Sequence, residues 1–384
     1  REETIRRSCP WIHALVEHFV ADAYANRLLP TYNEITENLT PEERKRITYD
    51  RSDAIEMVTS PCKTLEDIRT ELLGLYEKIR PELEERGLMF LFASRLPDAE
   101  PTGWKEKIGK GEPQNVFGMH VHFGRVKDEF EAAAVYEAYR RVAPEIMALT
   151  ANSGVSSGKV VDTMSYRQTL YRNMIPEGLD IRPKMSWNEK RKLRQKMKQI
   201  FGTNSEHQRS SQHSLNDTIR EILAEKGLNI NTNEDPEQVS GDRGSSCVYL
   251  RPELGTVEVR IVDMQSDYSE NSLESHVEAN IIAVELIDAI GRAAVEAYRS
   301  GTEFIPKRQD LDEMYERAID SGLSDPELCE DASDLIEIIS PYLSDRTESV
   351  LKTRTQTGKS PAQVQKQICR ETGINGLYNV IGCR

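Results

Sequence analysis

Two histidines spaced two residues apart, in the segment GMHVHFG at 118–124, are the first side chains whose types and spacing suggest chemistry. If this segment is a β-strand, His120 and His122 point to one face and the apolar residues between and beside them point to the other. Two imidazoles on one face, together with a carboxylate from a neighbouring strand, form a site for a divalent cation. The same pattern is typical of a structural or solvated histidine pair, so both interpretations remain open.

Carboxylates on two other predicted strands indicate which kind of cation the site could bind. Glu56 lies in AIEMVT, and Glu258 lies in GTVEVRIVDMQ. Carboxylate oxygens with one imidazole suit Mg²⁺ or Mn²⁺ better than zinc, and magnesium commonly binds together with phosphates. Arg260 follows Glu258 by two residues, so its guanidinium is expected on the same face, where it can hold a phosphoryl oxygen. An isolated Glu-x-Arg pair is also typical of a surface ion pair.

The common nucleotide-binding and hydrolase motifs are absent from the sequence. There is no G-x-x-x-x-G-K-[ST] loop, no G-x-G-x-x-G after a strand and no G-x-S-x-G turn. A nucleotide bound by this chain would therefore be held by metal ions and arginines on a sheet.

The elements that must position these residues alternate between strands and long helices. Strands are predicted at 54–59, 88–94 and 115–124, with a hairpin at 247–265; helices are predicted within 60–87 and at 127–150, 188–200 and 214–226, and again in the apolar-periodic C-terminal third. Polar residues alternate with apolar ones on three of the strands. This pattern predicts an α+β fold in which helices cover one face of a sheet and the other face carries the site.

Length and composition are those of a globular enzyme. The 384 residues include 38% hydrophobic residues, and the net charge of −14 argues against general nucleic-acid binding. The six cysteines are scattered without Cys-x-x-Cys spacing, and neither a membrane span nor a signal peptide is recognisable, so we expect a cytoplasmic protein without a membrane partner. We treat 1–384 as a single catalytic domain, in which the basic, polar segment 184–213 is an insertion, a lid or simply a solvated helix.

Four segments together resemble a known family. GMHVHFG and GTVEVRIVDMQ are similar to two strands of the glutamine synthetase superfamily. AIEMVTSPCKTLEDIRTEL and TANSGVSSGKVVDTMSYRQTLYRNMIPEG are similar to segments of its glutamate-cysteine ligase type 2 branch, the carboxylate-amine ligases. The segments occur in the family's order across roughly residues 50 to 290, and their joint occurrence is far more specific than any one of them.

The resemblance implies a curved antiparallel sheet that forms a funnel, with helices on its outer face, ATP at one end and small-molecule substrates at the other. It assigns Glu56, His120 and Glu258 as ligands of Mg²⁺, with Mn²⁺ as an alternative, and His122 as a contact to the nucleotide phosphates. Arg260 matches the arginine that stabilises the transferring phosphoryl group. Arg167 matches a substrate-side arginine, and Arg172 is placed to assist it.

The activity implied by the resemblance is ATP-dependent ligation. A carboxylate such as the γ-carboxylate of glutamate would be phosphorylated to an acyl phosphate, and cysteine or another amine would attack it to form an amide. Two alternatives remain: a guanidino kinase-like phosphotransferase, and a catalytically inactive member that binds a nucleotide or metabolite. The sequence leaves the acceptor amine and the formation of a homo-oligomer open.

One departure from the family pattern concerns the first strand. Family members begin with a Gly-x-Glu-x-Glu strand that supplies further metal ligands, and no such strand is recognisable ahead of Glu56. We expect its role to fall to Glu2 and Glu3, or to Glu34 or Glu37 in TYNEITENLT.

Overall fold

The computed structural model describes residues 12–22, 36–51, 54–98, 117–174, 248–251, 254–305 and 311–383. The predicted insertion or lid at 184–213 and the predicted helices at 188–200 and 214–226 lie outside the described residues. The prediction of a single domain is therefore not tested across the whole chain.

One antiparallel sheet of eight described strands forms the centre of the fold. Its strands are β1 (Ile12–Asp22), β2 (Ile47–Arg51), β3 (Ala54–Val58), β4 (Leu88–Leu91), β5 (Gly118–Phe123), β8 (Val248–Arg251), β9 (Thr256–Asp263) and β10 (Gly382–Cys383). A separate two-stranded ribbon consists of β6 (Val155–Ser156) and β7 (Lys159–Val160). Strands lie within the segments predicted at 54–59, 88–94 and 115–124 and within the hairpin predicted at 247–265; residues 115–116, 247 and 252–253 lie outside the described residues.

Ten described α-helices accompany the sheet. They are α1 (Pro41–Arg44), α2 (Leu65–Glu85), α3 (Glu129–Arg141), α4 (Ala143–Thr150), α5 (Tyr166–Met174), α6 (Leu273–Ser300), α7 (Leu311–Asp320), α8 (Pro326–Ile339), α9 (Asp345–Thr357) and α10 (Pro361–Ile381). The single helix predicted at 127–150 is wrong in one respect, because the chain breaks at Val142 into α3 and α4. Pro144 lies in the first turn of α4, where its missing N–H costs no hydrogen bond; inside a continuous helix it would remove one.

The strand β1 holds the sheet together and corrects the prediction about the start of the chain. It pairs with β3, β4 and β5, so it has three neighbours. The sequence IHALVEHFVAD conceals this strand, because its large apolar residues (Ile12, Leu15, Val16, Phe19 and Val20) repeat with helical spacing. Pairing on both edges has overridden the local pattern.

The expected substitutes for this strand do not lie in the sheet where the structure describes them. Glu37 lies in the turn before α1, and its exposed side chain pairs with Arg86 at the end of α2, with 3.5 Å between Oε1 and Nη2. Glu2, Glu3 and Glu34 lie outside the described residues. The strand that occupies the centre of the sheet instead carries Glu17, which pairs in register with Glu56 of β3.

Three helices cover one face of the sheet, as predicted. The helices α2, α3 and α6 contact the sheet, α6 packs against both α2 and α3, and the apolar face of β5 (Met119, Val121 and Phe123) is fully buried. The helix α2 starts at a capping box in which Thr64 and Asp67 exchange hydrogen bonds. The helix α6 approaches β5 closely at Gly291, since a Cβ atom there would lie 2.6 Å from the ring of Phe123. The packing thus fixes the distance between β5 and the layer of helices.

Among the described residues, no helix is both long enough and apolar enough to cross a membrane.

His276 on α6 makes the stability of this fold depend on pH. Its ring stacks on Phe92, with ring centroids 4.4 Å apart, and its Nδ1 accepts a hydrogen bond from the backbone N–H of Asp267 at 3.1 Å. Burial lowers the pKa of His276 to about 4. The unfolded chain therefore binds a proton near pH 6.5 that the folded chain excludes, so this contribution to stability is complete above that pH and is lost as the pH falls towards 4.

We predict that His276→Gln flattens the pH dependence of the free energy of unfolding between pH 6.5 and 4. The excluded proton contributes on the order of 3 kcal/mol of pH dependence across this range. Denaturant titrations of both proteins at several pH values would measure it. A slope identical to that of the unsubstituted protein would contradict the assignment.

Candidate active site

The predicted site residues lie on the sheet face opposite the helices. In β5 and β9 the register places His122 opposite Glu258, and the register of β8 places Tyr249 opposite Glu258 from the other side. On the far edge of β5, His13 of β1 pairs with His122. One row across four strands therefore consists of histidines, a carboxylate and a tyrosine, which is an unusual composition for one row of a sheet.

The carboxylate of Glu258 is the centre of this row and is only 2% exposed. Its Oε1 lies 3.4 Å from Nε of Arg260, 3.6 Å from Nδ1 of His120 and 3.7 Å from Nε2 of His122. Its Oε2 lies 2.5 Å from Nε of Arg251. The structure thus brings His120, His122, Glu258 and Arg260 together as predicted, and adds Arg251.

His120 is held in its neutral form. Burial lowers its pKa well below the ordinary value, and the positive charges of Arg260 and Arg167 lower the pKa further. Nε of Arg260 donates to Nε2 of His120 at 3.2 Å, which requires an unprotonated ring nitrogen as acceptor. A neutral imidazole beside a carboxylate is the form in which histidine binds cations.

The ring of His122 is oriented by its other nitrogen. Nδ1 lies 3.1 Å from Oγ1 of Thr256, a buried residue at the start of β9. This contact turns Nε2 towards Glu258. A fixed ring orientation is what a histidine needs if it is to contact a ligand with one particular nitrogen.

Glu56 lies at a different position on the same sheet. Its Oε2 accepts a hydrogen bond from Oγ1 of Thr48 at 2.6 Å, and it is half-buried on β3. Because β1 and β5 separate β3 from β9, Glu56 and Glu258 are three strand spacings apart across the sheet, roughly 14 Å, and their register partners on β1, Glu17 and His13, lie a further four residues, roughly 13 Å, apart along the strand. A single ion held by both would require the sheet to curve strongly, so two separate ions suit this spacing better.

A β-bulge changes which residues of β9 reach the site face. Between the pairs Met119–Val262 and Val121–Val259, two residues of β9 stand opposite His120 alone. In a regular strand, Glu258 and Asp263 would point to opposite faces, because their positions differ by five, an odd number. The extra residue restores Asp263 to the face of Glu258, where the register pairs it with Gly118.

The buried carboxylate of Asp263 accepts hydrogen bonds from two segments that are distant in sequence. Its Oδ2 accepts from the backbone N–H of Asn152 at 2.8 Å, from Oγ of Ser153 at 2.9 Å and from Oγ of Ser165 at 3.3 Å. Burial raises the pKa of Asp263, while Arg167 and these hydrogen bonds oppose the rise. The Ala-Asn-Ser and Ser-x-Arg segments that resembled the family therefore meet at one buried carboxylate.

Arg167 lies across the strand β5 at Gly118. It is 2% exposed, its Nη1 lies 3.5 Å from Oδ1 of Asp263, and its Nη2 donates to the backbone carbonyl of Arg260 at 3.0 Å. A Cβ atom on Gly118 would lie 2.2 Å from Nη2, so only glycine leaves room for this guanidinium. Arg172 belongs to α5, but its side chain lies outside the described part of the chain.

The groups around Glu258 include side chains that can bind a cation, but their arrangement is that of an ion pair. Two imidazoles and a carboxylate face one another. Within the described ranges, however, no group of three or more His, Cys, Asp or Glu side chains is arranged to hold a metal ion. Both arginines lie at the carboxylate instead, so the donors fit a cation only after at least one guanidinium has moved away.

The cysteines near the site strands are not suited to act as nucleophiles where they are described. Cys62 is buried, its Sγ donates to the carbonyl of Ser60 at 3.1 Å, and burial raises its pKa to about 11. In this place the side chain acts as a small apolar residue. Cys247 lies outside the described residues.

Sequence reasoning missed Arg251 and Thr256, which are cross-strand partners in the hairpin of β8 and β9. The hairpin itself was predicted, so aligning its two strands back from the turn would have placed Arg251 diagonally next to Glu258. It also missed Glu17, because the strand that carries it was not recognised.

The site is thus a row of histidines, carboxylates and arginines on one face of an antiparallel sheet whose other face is covered by helices. The model of glutamate-cysteine ligase family 2 matches residues 32–352, and the chain belongs to this family.

Relatives similar in sequence agree with this membership. A protein from Roseiflexus castenholzii, provisionally named glutamate–cysteine ligase 2, is 29% identical over 137 residues, which cover 33% of this chain and 36% of that protein. A protein of the same provisional name from Gloeobacter violaceus is 26% identical over 176 residues, covering 38% of this chain and 46% of that protein. The matched region therefore spans less than half the length of either relative.

Two solved structures share the fold. Glutamate–cysteine ligase from Francisella tularensis in complex with AMP has a TM-score of 0.60 at 13% identity, covering 96% of this chain and 87% of that chain. A bifunctional glutathione synthetase from Pasteurella multocida has a TM-score of 0.59 at 14% identity, covering 98% of this chain and 52% of that chain.

We predict that Gly118→Ala destabilises the protein by about 1–3 kcal/mol and disturbs the site, because the new methyl group overlaps the guanidinium of Arg167. The matched control is Gly74→Ala in α2, where a Cβ atom has no neighbour within 4 Å and where alanine raises helix stability by up to about 1 kcal/mol. Thermal or denaturant unfolding would measure both. Equal stability of the two variants would contradict the position of Arg167 over Gly118.

Proposed function

We propose that this protein is an ATP-dependent carboxylate-amine ligase that forms a γ-glutamyl-type amide from glutamate and cysteine or another amine. The observation that carries the proposal is the convergence of His120, His122, Arg251 and Arg260 on the buried carboxylate of Glu258, in a chain that belongs to glutamate-cysteine ligase family 2. The AMP bound to the structural neighbour from Francisella tularensis supports nucleotide binding on this fold.

The proposed reaction has two steps. The γ-phosphoryl group of ATP passes to the substrate carboxylate, which gives ADP and an acyl phosphate. The neutral amine then attacks the acyl carbon, and inorganic phosphate leaves as the amide forms. The first step is needed because a carboxylate is a poor electrophile, whereas phosphate is a good leaving group.

Arg260 is proposed to stabilise the transferring phosphoryl group. A guanidinium offers a rigid set of donors that matches the equatorial oxygens of a loose, metaphosphate-like transition state. The hydrogen bond from Arg260 to His120, and that from Arg167 to the backbone carbonyl of Arg260, hold this residue in place. Such preorganisation lowers the barrier because the donors need no rearrangement when charge develops.

Mg²⁺, or Mn²⁺ in its place, would be held by His120 and Glu258 at one end and by Glu56 at the other. A bound divalent cation supplies neutralisation of charge on the nucleotide phosphates. His122, fixed by Thr256, is proposed to contact a phosphate oxygen. Glu17 is placed by register beside Glu56, so it is proposed to take the role predicted for Glu2 and Glu3 or for Glu34 or Glu37.

Arg167 and Arg172 are proposed to serve the amino-acid substrate, Arg172 by contacting its carboxylate and Arg167 by shaping that end of the site. Arg167 forms an ion pair with Asp263 and donates a hydrogen bond to the backbone carbonyl of Arg260. Its proposed effect on a bound substrate is therefore mainly the electrostatic attraction of its positive charge, without direct contact. A cytoplasmic location, small-molecule partners only and a homo-oligomeric state remain predictions.

The direct test is release of ADP from Mg·ATP by the purified protein, with glutamate and a panel of amines that includes cysteine. We expect release that requires both glutamate and one amine, and a product that is lighter by one water than their sum in mass spectrometry. Arg260→Gln should lower kcat by about 10²–10³-fold, because it removes donors that act in the transition state. Glu258→Gln should abolish turnover at ordinary Mg²⁺ concentrations.

The matched control is Glu303→Gln, which removes an exposed carboxylate that pairs with Arg141. Its kcat should equal that of the unsubstituted protein. Full activity of Glu258→Gln with unchanged Mg²⁺ dependence would refute the proposed site. Formation of phosphoarginine or phosphocreatine would favour the guanidino kinase alternative, and nucleotide binding without turnover of any pair would favour the inactive member.

A further inference from the structure

Two buried side chains of α10, Gln365 and Lys366, lie against Gly154, the residue that follows the Ala-Asn-Ser segment. The backbone N–H of Gly154 donates to Oε1 of Gln365 at 2.7 Å. A Cβ atom on Gly154 would lie 2.8 Å from Cε of Lys366 and 2.9 Å from the carbonyl oxygen of Ala362, so the helix packs directly on this glycine. Both side chains lie beyond residue 352, where the match to the family ends.

Both side chains have hydrogen-bond donors that no described group accepts. Gln365 is 0% exposed and Lys366 is 4% exposed. Since Oε1 of Gln365 accepts from Gly154, the orientation of the amide is fixed, and its Nε2 has no partner among the described residues. Within the same ranges, the ammonium group of Lys366 has one acceptor, the carbonyl oxygen of Asp162 at 3.3 Å, and no carboxylate within 4 Å. The buried hydroxyl oxygen of Thr163, the next residue, also has no partner there.

A buried ammonium group without a counter-ion is costly, because its charge has lost its hydration. Burial lowers the pKa of Lys366 to about 8, with the positive charge of Arg370 acting in the same direction and the carboxylate of Asp162 opposing it. The surroundings therefore disfavour the charged form that lysine normally has. A water molecule accepts a hydrogen bond but leaves the charge unbalanced, whereas an anion accepts the hydrogen bonds and balances the charge.

The kinds of donor indicate which anion the site takes. One ammonium group balances the single charge of a carboxylate, whose two oxygens can accept from the ammonium and the amide together. A phosphate group carries nearly two negative charges near pH 7, which one buried ammonium group does not balance. Asp162 and Arg370 are exposed, so the ammonium group of Lys366 lies just beneath the surface, within reach of a small molecule.

We propose that Gln365 and Lys366 form a binding site for the carboxylate group of a small organic acid, such as an amino acid, between α10 and the segment 151–166. The amide and ammonium donors that have no described acceptor bind the two carboxylate oxygens. The site is distinct from the row around Glu258, and it does not depend on the proposed ligase reaction.

The site lies next to the Asp263 end of the candidate active site. Ser153 precedes Gly154 in the chain, and its Oγ donates to the carboxylate of Asp263. The acid bound at Lys366 is either an amino-acid substrate that reaches this far or a separate molecule. Both carry the same carboxylate, so the site is defined by that group, and the effect of substitution on KM separates the two sources.

The test is isothermal titration calorimetry on the full chain without nucleotide. Glutamate, cysteine and acetate are the carboxylate probes; cysteamine, which is cysteine without its carboxylate, and inorganic phosphate are the comparisons. We expect at least one carboxylate probe to bind, and both comparisons to bind more weakly by about tenfold or more. Lys366→Met should weaken binding of the carboxylate by about tenfold or more, since it removes a charge-assisted hydrogen bond.

Gln365→Glu places a carboxylate in the site from within the chain. One carboxylate oxygen still accepts from Gly154, while the second replaces Nε2 and acts as a counter-ion for Lys366. We expect this variant to lose carboxylate binding and to unfold at a temperature higher by about 2 °C or more, because the buried charge is now paired. Lys359→Met is the control for the loss of an exposed lysine next to α10, and it should change neither quantity.

Several results would overturn the inference. It fails if Lys366→Met and Gln365→Glu both bind the carboxylate probes as the unsubstituted protein does, or if no carboxylate probe binds. Preferential binding of phosphate overturns the class of ligand. A purely structural role for Lys366 predicts lower stability of Lys366→Met with no change in binding, and circular dichroism should show that all variants are folded.

The ADP-release assay separates the two sources of the carboxylate. If the acid is a substrate, Lys366→Met should raise its KM by about tenfold with kcat unchanged. If the acid is a separate molecule, the KM of the substrates should not change. Absence of ADP release with every amine would refute the proposed ligase but leave the calorimetric result standing, so the two failures are distinguishable.

Discussion

The rest of the site depends on the burial of one negative charge, the carboxylate of Glu258. An ionised carboxylate removed from water is stable only when cations or hydrogen-bond donors surround it. Arg251 and Arg260 provide the charge, and the two histidines of β5 complete the surroundings. The groups that make the nucleotide-free protein stable are thus largely the groups proposed to bind the cation and the phosphates. Because the same groups have both roles, many charged side chains lie close together on a sheet that is almost fully buried.

The fold positions the groups around Glu258 by fixing where β5 and β9 lie against the helices and how they are paired. Gly291 lets α6 lie close against β5 from one side, and Gly118 lets Arg167 lie close against it from the other. The strand β5 is thereby clamped between a helix and a buried arginine. The bulge in β9 then aligns Asp263 with Glu258 on one face, so that one strand supplies a carboxylate to each end of the site. A small shift of either strand would uncouple these two ends.

Much of the architecture was readable from local pattern. Alternation identified β3, β5 and the hairpin of β8 and β9; it placed His120 and His122 on one face of β5, and Glu258 and Arg260 on one face of β9. The Thr64 capping signal and the proline at the start of α4 follow from backbone chemistry that acts within a few residues. The resemblance to the family added roles that alternation cannot assign, and the family match supports the class but leaves the substrates to experiment.

The sequence by itself determined which side chains of a strand share a face, because that depends only on the two-residue repeat of an extended backbone. Only the tertiary structure decided which strands are neighbours. The segment IHALVEHFVAD has helical periodicity, yet it forms β1 because partners on both edges supply the hydrogen bonds that a helix would have made internally. The same holds for the bulge opposite His120 and for the pairing of Arg251 with Glu258. These features arise from contacts between segments distant along the chain or from the register of paired strands, so no local pattern specifies them.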